Sequence, residues 1–292
     1  MFTAADLARV RVAPRPDPLW ETVLSLHQLA LRGTAAGSYA PWAGWVRTVA
    51  RDCAPAARLV YGFAPPARYW PDFLTPTAGG AGLDEAVDTV LHTPVRRVRA
   101  ELARAGAAHP LPPVAADLAE GRTERIAELG AALRRYHADA LAPFADRIDA
   151  YVGRHRAQVA DVISTDGVGA GLGGLGSGMT WRSPVLTAPY PADVTIELGG
   201  RGLTLLPSFF CRRMPVALAD ENLDPVLVYP VDPPVGWMQP GAVVAGRDRK
   251  LASLVGAPRA ALLEALREPC GTSELSARTG LSLSSASEHA TI

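Results

Sequence analysis

The side chains best suited to chemistry gather near the end of the 292-residue chain. Ser284, Ser285, Ser287, Glu288 and His289 surround Ala286 and Ala290, which are four residues apart and so share one face of a helix. With the alanines inward, these polar residues face outward. Hydroxyls can bond phosphates or base edges, histidine can donate to purine N7 and O6 acceptors, and glutamate can accept from a cytosine amino group. The same pattern also fits an ordinary helical hairpin with a polar face.

Three helices are predicted to position them. Leu262, Leu263, Ala265 and Leu266 suit the first, and Glu268-Pro269-Cys270-Gly271 breaks it. Thr272 and Ser273 offer hydroxyls to cap a second, short helix through Leu275 and Ala277. Gly280 ends that helix by supplying the left-handed backbone of a tight turn, and Ser282 can cap the third. Helix, short helix, glycine turn and helix make a helix-turn-helix, whose last helix enters the major groove.

The run Thr272-Ser273-Glu274-Leu275-Ser276-Ala277-Arg278-Thr279-Gly280-Leu281-Ser282, followed by Ser285-Ala286-Ser287-Glu288-His289-Ala290, resembles the winged helix-turn-helix of ArsR-like bacterial transcriptional regulators. The segment from Gly199 to Pro230 looks like the regulatory part that precedes this motif in a subfamily from high-GC bacteria. The resemblance implies a homodimer that reads a double-stranded DNA operator. The residues it brings to DNA are Thr272, Ser273, Ser284, Ser285, Ser287, Glu288 and His289. Family members continue into a β-hairpin wing, whereas this sequence stops at Ile292, so a truncated or DNA-binding-deficient chain is expected. The alternative is a protein-interaction or dimerisation module.

Composition narrows the classes. Acidic and basic residues balance at 29 each, so attraction to nucleic acid must come from a local patch. Arg247, Arg249, Lys250 and Arg259 are candidates for phosphate contacts, although they also suit a solubilised linker. Cys53, Cys211 and Cys270 are far apart and form no CxxC or Cys/His cluster, which argues against a disulfide framework or a metal site. The six histidines lack metal-ligand spacing, and no GxSxG or P-loop is present, so neither an enzyme nor a cofactor is expected. No signal peptide and no apolar run long enough for a membrane span is seen, which points to a cytoplasmic, non-membrane protein.

Two features invite a ligand reading. Gly169-x-Gly171-x-x-Gly174 has dinucleotide-fingerprint spacing, but a helix is predicted before it and a strand after it, the reverse of what that chemistry needs. Gly167 to Gly178 is therefore expected to be a flexible loop. Tyr61, Phe63, Tyr69, Trp70 and Phe73, on an irregular segment from Leu59 to Leu74, can line an effector cavity or pack into the core. Trp42 and Trp45 carry the same two readings, and Arg96, Arg97, Arg99 and Arg104, with Glu101 among them, read as a solvated face.

The whole chain reads as α+β, mainly helical. Residues 1–165 are predicted helical, with Thr3 and Asp6 as a capping box, an amphipathic helix over Leu19 to Leu31, and breaks near Pro94 and Pro143. Residues 179–232 are predicted to form a small antiparallel meander from Thr180–Thr187, Asp193–Leu198, Leu203–Phe210 and Pro225–Tyr229, with a hairpin turn at Gly199-Gly200-Arg201-Gly202. A Pro/Gly-rich linker over Pro233 to Gly246 then separates a regulatory domain, 1–235, from a partial winged helix-turn-helix, 247–292.

Overall fold

Caps and prolines mark most helix boundaries in the structure, a computed structural model that describes residues 1–31, 37–76, 82–190, 193–218, 220, 223–233, 236–238, 259, 262–263, 266, 271–279, 284–285 and 287. Thr3 and Asp6 form the expected box at α1 (Ala4–Leu7): the Thr3 hydroxyl accepts from the Asp6 amide, and the Asp6 carboxylate accepts from the Thr3 amide at 2.8 Å. Asp17 caps α2 (Pro18–Ala30) through the Leu19 and Trp20 amides. Pro41 and Pro55 sit in the first turns of α3 (Ala40–Thr48) and α4 (Ala54–Phe63), where a missing amide hydrogen costs nothing. Pro94 separates α5 (Leu83–Leu91) from α6 (Val95–Ala108) because its ring cannot continue a helix. After α7 (Ala115–Ala119), a 3-10 turn holding Pro143 likewise separates α8 (Thr123–Ala140) from α9 (Ala145–Asp166).

Two helices differ from the sequence expectation. The first turns of the aromatic segment, from Leu59 to Phe63, belong to α4, whose Ala57, Val60 and Phe63 are buried at three-residue spacing. Alanines behind Pro55 favour this helix, and the aromatic content obscured it. Helix α2 is buried nearly all round instead of on one stripe, with Glu21, Thr22, Ser25 and Gln28 buried beside Leu19, Trp20, Val23, Leu24 and Leu26. It packs against α4, α5 and α8, and its polar residues find partners inside.

The predicted antiparallel meander is corrected by the sheet topology. β1 (Arg11–Val12), β4 (Thr204–Ser208), β6 (Val226–Pro230) and β5 (Val216–Ala217) form one sheet in the order β1-β4-β6-β5. β4 runs parallel to both β1 and β6, and only β5 is antiparallel to its neighbour. A separate antiparallel pair joins β2 (Thr180–Arg182) to β3 (Val185–Thr187). β6 is an apolar run, and β4 is buried along all but its first residue although Thr204 and Ser208 are polar, as strands covered on both faces are. Helix α9 packs on β4, and Leu205 and Tyr229 join Val159, Leu172 and Leu198 in one core.

Residues 193–198 form no strand ladder, so the Gly199–Gly202 turn closes no hairpin. It receives the N-terminal segment instead: Asp6 accepts from the Gly202 amide at 3.0 Å, and Arg9 donates to the Gly200 carbonyl at 2.6 Å. A β-carbon on Gly202 would lie 2.5 Å from the Arg9 backbone oxygen, so this close approach requires glycine.

The expected loop over Gly167 to Gly178 is also corrected. It opens with α10 (Val168–Gly173), packed on α9 and β2. A β-carbon on Gly171 would come within 2.3 Å of Ile163 Cγ1, and one on Gly169 within 2.8 Å of Trp181 Nε1. The glycines therefore serve close helix packing. Since α9 precedes them, the strand-turn-helix context of a dinucleotide site is absent from this segment.

The chain divides into two compact units, Met1–Val235 and Gly236–Ile292. No described helix is long and apolar enough to cross a membrane. In the second unit the backbone of α11 (Thr272–Thr279) is described, together with helical backbone at Arg259, Leu262, Leu263, Ser284, Ser285 and Ser287.

Candidate functional site

Open parallel sheets bind ligands beyond the carboxyl ends of their strands. In the first unit that place is filled by the protein's own groups. Glu21, from α2, accepts the Phe209 amide on one carboxylate oxygen at 2.7 Å and the Phe210 amide on the other at 2.9 Å. Ser208 accepts from the Cys211 amide at 3.0 Å, Tyr39 donates to the Phe209 carbonyl at 2.7 Å, and the Gln28 amide donates to the Phe210 carbonyl at 3.0 Å. Burial pushes the Glu21 carboxyl up to about 7, against the pull of the Phe210 and Phe209 amides and the Ser208 hydroxyl. The two amides that an external anion would use are already taken, so this corner locks α2 to the sheet.

Two further carboxylates do similar work. Burial would raise the Asp6 carboxyl, but hydrogen bonds from Thr3 and the Gly202 amide outweigh it and hold the group at about 2. Glu101 accepts from the Phe73 amide and from Arg97 Nε, both at 2.6 Å. Only Asp6 had a sequence signal, its capping spacing. Glu21 and Glu101 act on backbone amides of residues 188 and 28 positions away, which no local pattern reveals.

The aromatic candidates divide. Trp42 is fully buried, with its indole nitrogen donating to the Ala140 carbonyl at 2.9 Å, and Trp45 packs edge-on against Phe144. Phe63 and Tyr69 are buried, and Trp70 meets Trp20 and His27 edge-on. Tyr61 is half-buried on α4. Phe73 alone of this group lines a described cavity. Burial lowers the His27 imidazole to about 4 while the Ala64 carbonyl opposes the shift. Cys53 and Cys211 are buried, and burial raises both thiols. Among the described residues, no group of His, Cys, Asp and Glu is arranged to hold a metal.

The arginine run on α6 does not form a common patch. Arg97 is paired with Glu101, Arg99 donates to the Ala119 carbonyl, and Arg104 lies over the Tyr69 ring at 4.2 Å.

In the second unit, α11 begins at Thr272, and the Leu275 amide donates to the Gly271 carbonyl at 2.9 Å. Gly271 therefore takes the cap position that the sequence reading gave to the hydroxyl residues, a role glycine fills well. Thr272 and Ser273 lie exposed in the first turn, while Leu275 is buried. Thr279 donates to the Leu275 carbonyl at 2.7 Å. Leu262 is buried as its helical spacing implies, but Leu263 and Leu266 are exposed. Ser284 and Ser287 are exposed and Ser285 is half-buried, all three on helical backbone. Residues 280–283 and the candidates Glu288 and His289 lie outside the described residues, as do Cys270, Ser282 and the Arg247, Arg249 and Lys250 cluster; Arg259 is helical and exposed.

Comparison with protein-family models, with curated proteins and with solved structures found no match to this chain.

Proposed function

We propose that the chain is a DNA-binding transcriptional regulator of the winged helix-turn-helix kind, with Met1–Val235 as its regulatory and dimerising part. The observation that supports this reading is α11, a short helix that buries Leu275 and exposes Thr272 and Ser273 at its start. Positioning hydroxyls of this type bond backbone phosphates. In this reading Ser284 and Ser287, exposed and on helical backbone, are the residues that read bases. The regulator acts in the cytoplasm as a homodimer, so that its operator has two half-sites related by the same symmetry.

The test is a fluorescence-anisotropy titration with DNA flanking the protein's own gene and with random DNA of equal length, each at two salt concentrations. The reading expects tighter binding to the flanking DNA, weakening steeply as salt rises. Equal, weak binding to both DNAs would sink it. A second reading, a dimerisation or protein-interaction module, is favoured by the exposed Leu263 and Leu266. It expects self-association without DNA preference.

A further inference from the structure

Helix α5, the Pro94 break and the start of α6 line an open, solvent-facing cavity of about 460 Å³. That volume falls within the roughly 300–1,000 Å³ typical of small-molecule sites. Its existence follows from the sequence: Pro94 stops α5 and turns the chain, and Phe73 and Pro76 line the other side. Phe73, Pro76 and Pro94 supply apolar surface.

The walls are held from behind. Glu101 grips the Phe73 amide and Arg97 together, fixing the apolar floor to α6. Arg134 of α8 reaches Asp84 at 2.8 Å and Asp88 at 2.7 Å, fixing α5. Groups positioned in this way are ready for a ligand without reorganisation.

The charges define what fits. Arg97 is neutralised by Glu101, whereas Arg134 is shared between Asp84 and Asp88, which leaves that trio one negative charge in excess. Glu85 is the one charged lining residue without an ion pair among the described residues. His92 lies two helical turns along the same face, and its Nδ1 is 2.7 Å from the Asp88 carbonyl. A carbonyl only accepts, so Nδ1 carries the hydrogen in this contact. The cavity thus offers the Glu85 and Asp88 carboxylates beside an apolar floor.

We propose that this cavity binds a small organic amine with an apolar body, its ammonium donating to the Glu85 carboxylate while the body lies against Phe73, Pro76 and Pro94. As a binding site it stands apart from the DNA reading; as the site of a regulatory effector it rests on that reading.

Isothermal titration calorimetry of the full chain with 2-phenylethylamine and 1-hexylamine, with 2-phenylethanol as the uncharged control, tests the site. The amines bind saturably and the alcohol markedly less well. Glu85→Gln weakens the amines roughly fivefold, the scale of one exposed ion pair, and leaves the alcohol unchanged. Glu85 is exposed, so circular dichroism of the variant remains that of the parent. No amine binding, or equal amine affinity in parent and Glu85→Gln, overturns the site. DNA anisotropy with and without 2-phenylethylamine is read separately. Amine binding that leaves DNA affinity unchanged removes the effector role but not the site, whereas loss of the site alone leaves the DNA reading intact.

Discussion

In Met1–Val235, Asp6, Glu21 and Glu101 leave water only where backbone amides or an arginine meet them. In Gly236–Ile292, Thr272 and Ser273 stand exposed on the first turn of a helix anchored by Leu275. Buried carboxylates lock helices to the sheet or to loops, and losing one leaves amides without partners. Exposed hydroxyls at a helix start contribute little to stability. These three carboxylates of the first unit therefore serve architecture, whereas Thr272 and Ser273 of the second face solvent.

The comparison breaks most visibly at Glu21. Glu21→Ala strands the Phe209 and Phe210 amides in the core and should lower unfolding free energy by about 3 kcal/mol, read by urea denaturation. A loss below about 1 kcal/mol would show that the corner is not a lock.

The pH dependence of stability sharpens the same point. The unfolded chain releases the Glu21 proton near 4.5, whereas the fold holds it up to about 7, so the folded state binds more protons across that window. Its contribution therefore falls as pH rises from about 4.5 to about 7, on the order of 3 kcal/mol in total. Asp6 has the opposite sign. Its fold keeps the charge down to about 2 against 3.8 unfolded, so its contribution is lost as pH falls through that range. Urea midpoints measured from pH 3 to 8 in Glu21→Gln, compared with the parent, isolate the first effect.

Close packing comes next. Gly171→Ala places a methyl into Ile163 and should cost about 2 kcal/mol; a neutral result in thermal melts would mean that α10 is loosely held. Arg135→Ala, which removes an exposed pair with Asp139, should change stability by less than about 1 kcal/mol. Smallest for stability is Thr272→Ala with Ser273→Ala, within about 0.5 kcal/mol, yet the pair should weaken DNA several-fold in anisotropy.

Local chemistry was legible in the sequence. The Thr3–Asp6 box and the proline breaks at Pro94 and Pro143 follow from neighbours a few residues apart. What sequence spacing hid was long-range. Leu205 and Val228 have strand character in either direction, and the parallel pairing of β4 with β6 depends on the path of the chain between them. The glycines at 169 and 171 look like a flexible loop until Ile163 and Trp181 are seen pressing against them. Glu21 sits on what reads as an ordinary helix, and its partners lie across the chain. Of the candidate DNA residues, the spacing around Leu275 gave the helix but assigned its cap to Thr272 and Ser273 rather than Gly271.

Hydrogen exchange of the full chain, with and without the DNA flanking its gene, compares the two units in one experiment. The account predicts slowed exchange in peptides spanning Gly271–Thr279 and Ser284–Ser287, with the Glu21–Phe210 corner unchanged in its already slow exchange. Protection confined to α6 and its arginines, or none anywhere at saturating DNA, would contradict the assignment of DNA reading to the second unit.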